Sequence, residues 1–178
     1  MRIITLRSSY KILSASEVQS MPNVSIREKD DWGFYGHSTI NHDYNLKAVS
    51  GDVVVVDNAT GLMWHQSGSD FISMVGADAK GWIESLNSEG YAGYHDWRLP
   101  TVDEIVSLLE QYMKTSSQYG GMYIDPVFST KQNWIWTGDK FEDRSGSEAA
   151  WAVNFDDGFV GWNGINIDIF VRPVRSMR

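Results

Sequence analysis

Four histidines, His37, His42, His65 and His95, are the side chains best suited by type to ligate a metal or move a proton. None pairs with another at i, i+4 spacing around a glutamate, so the helical zinc-hydrolase pattern is absent. His37 and His42 fall in a polar stretch, where a hydrogen-bonded surface histidine is the simpler reading. Asn154, Asp156 and Asp157 offer oxygens of the kind calcium takes, without the spacing of an EF-hand loop. Followed by Gly158, they also read as a tight hairpin turn, which is the preferred reading. Carboxylates are plentiful but unpaired, and there is no nucleophile elbow, phosphate-binding loop or dinucleotide fingerprint. The chain has no cysteine, which excludes disulfides, thiolate nucleophiles and cysteine-ligated zinc. The expectation is a protein without a catalytic centre, a metal or a cofactor.

Residues that recognise surfaces are better represented. Eight Trp and eight Tyr occur in 178 residues, and both types join apolar area to a polar tip. Trp134, Trp136 and Trp162 offer faces for stacking on a sugar, although core packing is preferred for Trp134 and Trp136. The net charge is -8, with no basic stripe. This predicts that nucleic acid is not a partner, and it disfavours polyanionic glycans. Residues 1–20 hold no apolar run of signal-peptide length, and no run approaches a membrane span, so membrane insertion is not expected. Surface display would then need another route.

The elements that position these residues follow from periodicity. Val53 to Val56 is a β-branched run, Asp57-Asn58-Ala59-Thr60-Gly61 is a turn, and Leu62-Met63-Trp64 returns as the second strand of a hairpin. Ala79, Trp82, Ile83 and Leu86 mark one helix face. A second helix is expected from Val102 to Met113, capped by Thr101 with Glu104 reaching back. The stretch Trp97 to Ile105 joins the two, with Pro100 holding Leu99 extended. Arg98 is expected to pair with Asp103 or Glu104, or to bond backbone carbonyls, and to pin this connector to the last strand.

Toward the C-terminus the pattern is β: Trp134 to Thr137, Trp151 to Phe155, Phe159 to Trp162, and Phe170 to Arg175. Loops are expected at 115–121 and 141–148. Residues 1–52 are the least regular. Ile3, Ile4 and Leu6 suggest a strand start, Ser14 to Glu17 has capping-box spacing, and residues 30–37 read as a loop carrying packed aromatics. The class is α+β with an antiparallel sheet. The chain divides into an extension, 1–52, packed on or extending the core, and a domain, 53–178.

Three separated strings occur in order: Val56 to Trp64, Gly93 to Thr101 and Val171 to Arg175. They resemble the domain at the C-terminus of bacterial collagen-like adhesins over about residues 53 to 178. The resemblance implies a C-type-lectin-like fold, with two helices and a small twisted antiparallel sheet that joins the ends of the domain. An enzyme branch of that fold uses active-site cysteines, which are lacking here. The fold also carries the variable proteins of diversity-generating retroelements, whose varied residues lie just before the closing strand. By that resemblance the ligand-binding stretch is Phe155 to Phe170, with Phe155, Asp156, Phe159, Gly161, Trp162, Asn163, Ile165, Asn166, Ile167, Asp168 and Ile169 as candidate contacts. From Phe159 onward all but Trp162 belong to the set that adenine-directed mutagenesis of Asn codons yields. Ile165, Ile167 and Ile169 alternate with polar residues, which fits either an exposed apolar face or the core side of a longer last strand. The implied partner is a protein or glycan on a target surface, bound by a protein displayed on a virus or cell. Oligomerisation through the N-terminal aromatics stays open.

Overall fold

A computed structural model describes residues 2–70, 74–117, 120–142 and 146–178. Its centre is the Trp97–Thr101 connector. Pro100 keeps the chain extended, so Arg98 exchanges backbone hydrogen bonds with Val174 at 3.0 and 2.9 Å. Thr101 then caps α3 (Val102–Val106). Its hydroxyl accepts from the Glu104 N–H, and the Glu104 carboxylate accepts from the Thr101 N–H. Arg98 grips the same carboxylate through two bonds of 2.7 Å. Glu104 is fully buried. The expected pinning of connector to last strand is therefore present, with Glu104 rather than Asp103 as partner.

Two further helices form, α1 (Ala15–Val18) and α2 (Gly76–Glu89). Helix α2 buries Ala79, Ile83 and Leu86, and Gly90 ends it in a left-handed conformation, φ +75°. Val75 provides no side-chain cap; the Gly76 N–H donates instead to the Ile165 carbonyl at 2.7 Å. The strands are β1 (Val24–Asp30), β2 (Gly33–Ser38), β3 (Tyr44–Val49), β4 (Asp52–Asp57), β5 (Leu62–His65), β6 (Thr115–Ser117), β7 (Gly120–Met122), β8 (Trp134–Glu142), β9 (Glu148–Asn154), β10 (Phe159–Gly164) and β11 (Val174–Ser176). They make a five-stranded sheet, β1-β2-β10-β9-β8, a four-stranded sheet, β11-β5-β4-β3, and the β6-β7 ribbon, all antiparallel. The class is α+β, mostly β.

Two apolar clusters fill the interior. One gathers Val55, Trp64, Ile105, Leu108, Trp151 and Val153; the other gathers Val54, Val56, Ile83, Trp97, Trp136 and Ala152. Adjacent residues of β4, β5 and β9 enter opposite clusters, so these strands are covered on both faces. That is why Val54 to Val56 is a continuous apolar run rather than an alternating one, while Val53 at its start is exposed.

Several expectations fail for identifiable reasons. Residues 30–37 are not a loop: β1 and β2 pair there as a hairpin. The glycines that suggested a loop serve close strand packing. A Cβ on Gly33 would lie 1.8 Å from the Val160 carbonyl oxygen, and one on Gly36 would lie 2.4 Å from that of Ser25. The second helix stops at Val106, not Met113, because Ser107 turns its hydroxyl onto the Glu104 carbonyl and Leu108 and Leu109 bond three residues back. Ile105, Leu108 and Leu109 are still buried, while Tyr112 and Met113 are exposed. Residues 115–117 and 120–122 pair as a ribbon instead of a loop; 118–119 lie outside the described residues. The expected loop at 141–148 is narrower, with β8 running to Glu142 and β9 beginning at Glu148; 143–145 lie outside the described residues. Ile3, Ile4 and Leu6 form no strand, although the Ile4 N–H reaches the Ala59 carbonyl. The last strand covers Val174–Ser176, since Pro173 has no N–H to extend it backward.

The N-terminal fifty residues are woven into both sheets. Arg7 forks onto Asp103 and the fully buried Asp139, whose carboxylate also accepts from the Lys11 and Val102 N–H groups. Among the described residues no helix is long and apolar enough to cross a membrane.

Glu104→Ala is expected to destabilise the protein by about 3–5 kcal/mol, because it strands Arg98 partly buried and removes the cap. Adding Arg98→Met should recover part of that loss in urea denaturation. A second expectation concerns His65, buried and stacked on Tyr91 at 4.1 Å, with Nδ1 accepting from the Gly68 N–H. Burial, and then the nearby Arg172 guanidinium, lower its pKa to about 4. The unfolded chain takes up this proton near pH 6.5 and the folded chain only near 4, so stability is full above 6.5 and falls as the pH drops between those values. The loss is on the order of 3 kcal/mol. His65→Asn, which keeps an acceptor for Gly68, should lack that part of the pH dependence.

Candidate ligand-binding surface

Strand β10 lies at the centre of the five-stranded sheet, and its side chains alternate between faces. Val160 and Trp162 point to one face, Phe159, Gly161 and Asn163 to the other. The register sets Tyr35 beside Phe159, Phe159 beside Asn154, and Asn154 beside Trp134. This row crosses four strands. Its rings touch in sequence, with Tyr35 and Phe159 centroids 4.9 Å apart and Phe159 and Trp134 centroids 6.4 Å apart. Arg27 places its guanidinium 5.5 Å from the Tyr35 ring centroid. All three residues are half-buried. Phe159 lies across Gly161, where a Cβ would come within 2.3 Å of its ring.

The opposite face carries a different aromatic group. Trp162 is sandwiched between Trp32 at 4.7 Å and Phe141 at 4.3 Å, the latter pair almost parallel. Trp32 is 56% exposed and forms the outer leaf of this stack. The Trp162 indole N–H is buried and has no acceptor among the described residues.

The other predicted contacts separate by position. Phe155 is fully buried, and Ile169 nearly so, its backbone bridged to Met74. Neither offers side-chain area to a ligand. Asp156 accepts from the Asn133 amide, and its N–H donates to Asn154 Oδ1; Asp157 accepts from the Phe159 N–H. These bonds build the hairpin turn. Ile165 to Asp168 is a turn rather than an extended strand, closed by the Ile167 N–H on the Gly164 carbonyl. The alternating isoleucines therefore do not share one face. Ile165 is half-buried against Gly76, Ile167 is 48% exposed between exposed Asn166 and Asp168, and Ile169 is core.

Three of the four histidines, His42, His65 and His95, are engaged in hydrogen bonds. His42 bonds Asp57 at 2.7 Å and the Ser107 carbonyl at 2.6 Å. Burial would raise the Asp57 pKa, but hydrogen bonds from His42 and Thr60 hold it below the usual carboxylate range. His95 meets the Asn87 carbonyl at 2.5 Å. Among the described residues no three His, Asp or Glu side chains converge as a metal site would require.

The model of the Lcl C-terminal domain matches residues 53–175. The chain belongs to the Lcl C-terminal domain family. No curated protein and no solved structure matches the chain. The match spans the three strings on which the adhesin resemblance rests. The Lcl C-terminal domain family suggests a ligand-binding, adhesin-type domain and is not a known enzyme family.

Tyr35 was missed by sequence reasoning because it belongs to the segment 30–37 read as loop, and Arg27 because it lies just ahead of that segment in the irregular stretch 1–52, where no strand was expected. The usable signal was Phe34-Tyr35 between Gly33 and Gly36, a two-residue aromatic pair whose members must face opposite ways in a strand. Trp162→Ala is expected to cost about 2–4 kcal/mol by opening the ring stack. Ile167→Ala should change stability by less than about 0.5 kcal/mol, since that side chain projects from a turn. Thermal melts of the two variants check the contrast.

Proposed function

We propose that this chain is a non-catalytic recognition protein whose ligand lies on the outer face of β10 and on the turn that follows it. The carrying observation is the aromatic row Tyr35, Phe159 and Trp134, fixed by strand register yet only half-buried. Rigid aromatics of this kind supply contact area at low entropic cost. Asn163, Asn166, Ile167 and Asp168 extend the surface with mixed polar and apolar groups. Phe159, Gly161, Asn163 and residues 165–168 also belong to the adenine-mutagenesis set, which supports a diversified protein of a retroelement, displayed on a virus or cell. A protein ligand fits the acidic chain better than a polyanionic glycan does. Residues 1–52 act as an extension that supplies Tyr35 to this surface.

Two measurements test the reading. The neighbouring genome should hold a near-copy of the 3' end of the gene, differing at adenines, together with a reverse transcriptase; a neighbourhood lacking both overturns diversification. Panning against intact cells, protein libraries and glycan arrays should yield a ligand whose binding weakens at least tenfold in Ile167→Asp, with a melting temperature close to the parent, and in Phe159→Ala, which melts lower but is assayed at a temperature where circular dichroism shows it folded. A ligand unaffected by both substitutions places recognition elsewhere.

A further inference from the structure

A second concave region lies away from the aromatic row, between α2, the connector and the N-terminal segment. It encloses about 470 Å³. A neighbouring hollow of about 360 Å³ shares Lys80, Leu99, Gly138 and Lys140 with it, so the two form one cleft. Volumes of this size suit a small organic molecule. The walls are apolar where they are deepest: Ile83, Trp97 and Leu99 are buried core residues that present one edge here. Ile12 stands on the rim and is 63% exposed, an unusual position for a large aliphatic side chain.

The charge on this cleft runs against that of the chain. Lys11, Lys80 and Lys140 line the larger hollow, opposed there by Glu84 alone. The chain as a whole carries -8. All three lysines are exposed, and among the described residues none forms an ion pair; the lysines that do are Lys114 and Lys131. Three free ammonium groups around an apolar hollow are complementary to a molecule with an apolar body and an anionic end. The surrounding negative charge disfavours an extended polyanion.

We propose that this cleft binds a small amphipathic carboxylate, with its hydrocarbon part against Ile12, Ile83 and Leu99 and its carboxylate among Lys11, Lys80 and Lys140. The site is separate from the surface assigned above and does not depend on it. Isothermal titration of the full chain with decanoate, kept below its micelle concentration, tests the proposal. Saturable binding at one site is expected, with decylamine and hexaglutamate binding at least tenfold more weakly. Lys80→Glu/Lys140→Glu should weaken decanoate at least tenfold, and so should Ile12→Asp. These are exposed side chains, so melting temperatures should stay near the parent and separate lost binding from lost folding. No saturable binding of decanoate overturns the proposal. So does equal binding of decylamine or hexaglutamate, or binding undiminished in the folded lysine variant.

Discussion

A single carboxylate taken out of water organises this molecule. Glu104 is buried at no small desolvation cost, and it is tolerated because its oxygens are spoken for: two bonds from Arg98 and one from the Thr101 N–H. Those bonds fix the start of α3, and the same Arg98 exchanges backbone bonds with Val174. Helix, connector and closing strand are thus set by one ion pair. Asp139 repeats the device, taking the Val102 N–H at the start of α3 and the Arg7 guanidinium from the N-terminal segment. Paired buried charges of this kind contribute position more than net stability.

This frame leaves β10 free for another task. Its backbone is spent on β2 and β9, and one row of its side chains is spent on the core. The other row is carried but not consumed, which is the condition for a face whose side chains can be read by a partner. The turn after β10 shares that property through exposed Asn166, Ile167 and Asp168.

Local signals were legible wherever one physical cause dominated. The Thr101 and Ser14 capping boxes, the Asp57 to Gly61 turn and the α2 stripe could all be read from residue types and spacing, whereas for Arg98 spacing left Asp103, Glu104 and backbone carbonyls open and the fold selects Glu104. What escaped depended on tertiary partners. Gly33 and Gly36 look like loop residues until a neighbouring carbonyl explains why no Cβ fits. Leu108 and Leu109 keep helical spacing, yet Ser107 has already ended the helix. Within the candidate site, Phe159 and Asn163 were named through the family resemblance, and their shared face became visible only with the course of β10. The isoleucine alternation misled because a turn and a strand both place apolar residues two apart, and only the Ile167 to Gly164 hydrogen bond tells them apart.

The mounting of the 164–170 segment has one further consequence. The Ile165 N–H bonds the Glu148 carbonyl, and the Ile165 carbonyl receives the Gly76 N–H; Ile169 exchanges bonds with Met74, and the Phe170 N–H reaches the Trp134 carbonyl. Every one of these fixtures is main chain. Backbone fixtures are blind to which side chain a position carries, so the segment holds its course through most substitutions at its tip. Proline is the exception at 165, 167, 169 and 170, where an N–H is in use. Asn166 and Asp168 escape even that restriction: neither N–H takes part in these fixtures, which leaves the two polar positions flanking Ile167 as the least constrained points of the whole surface.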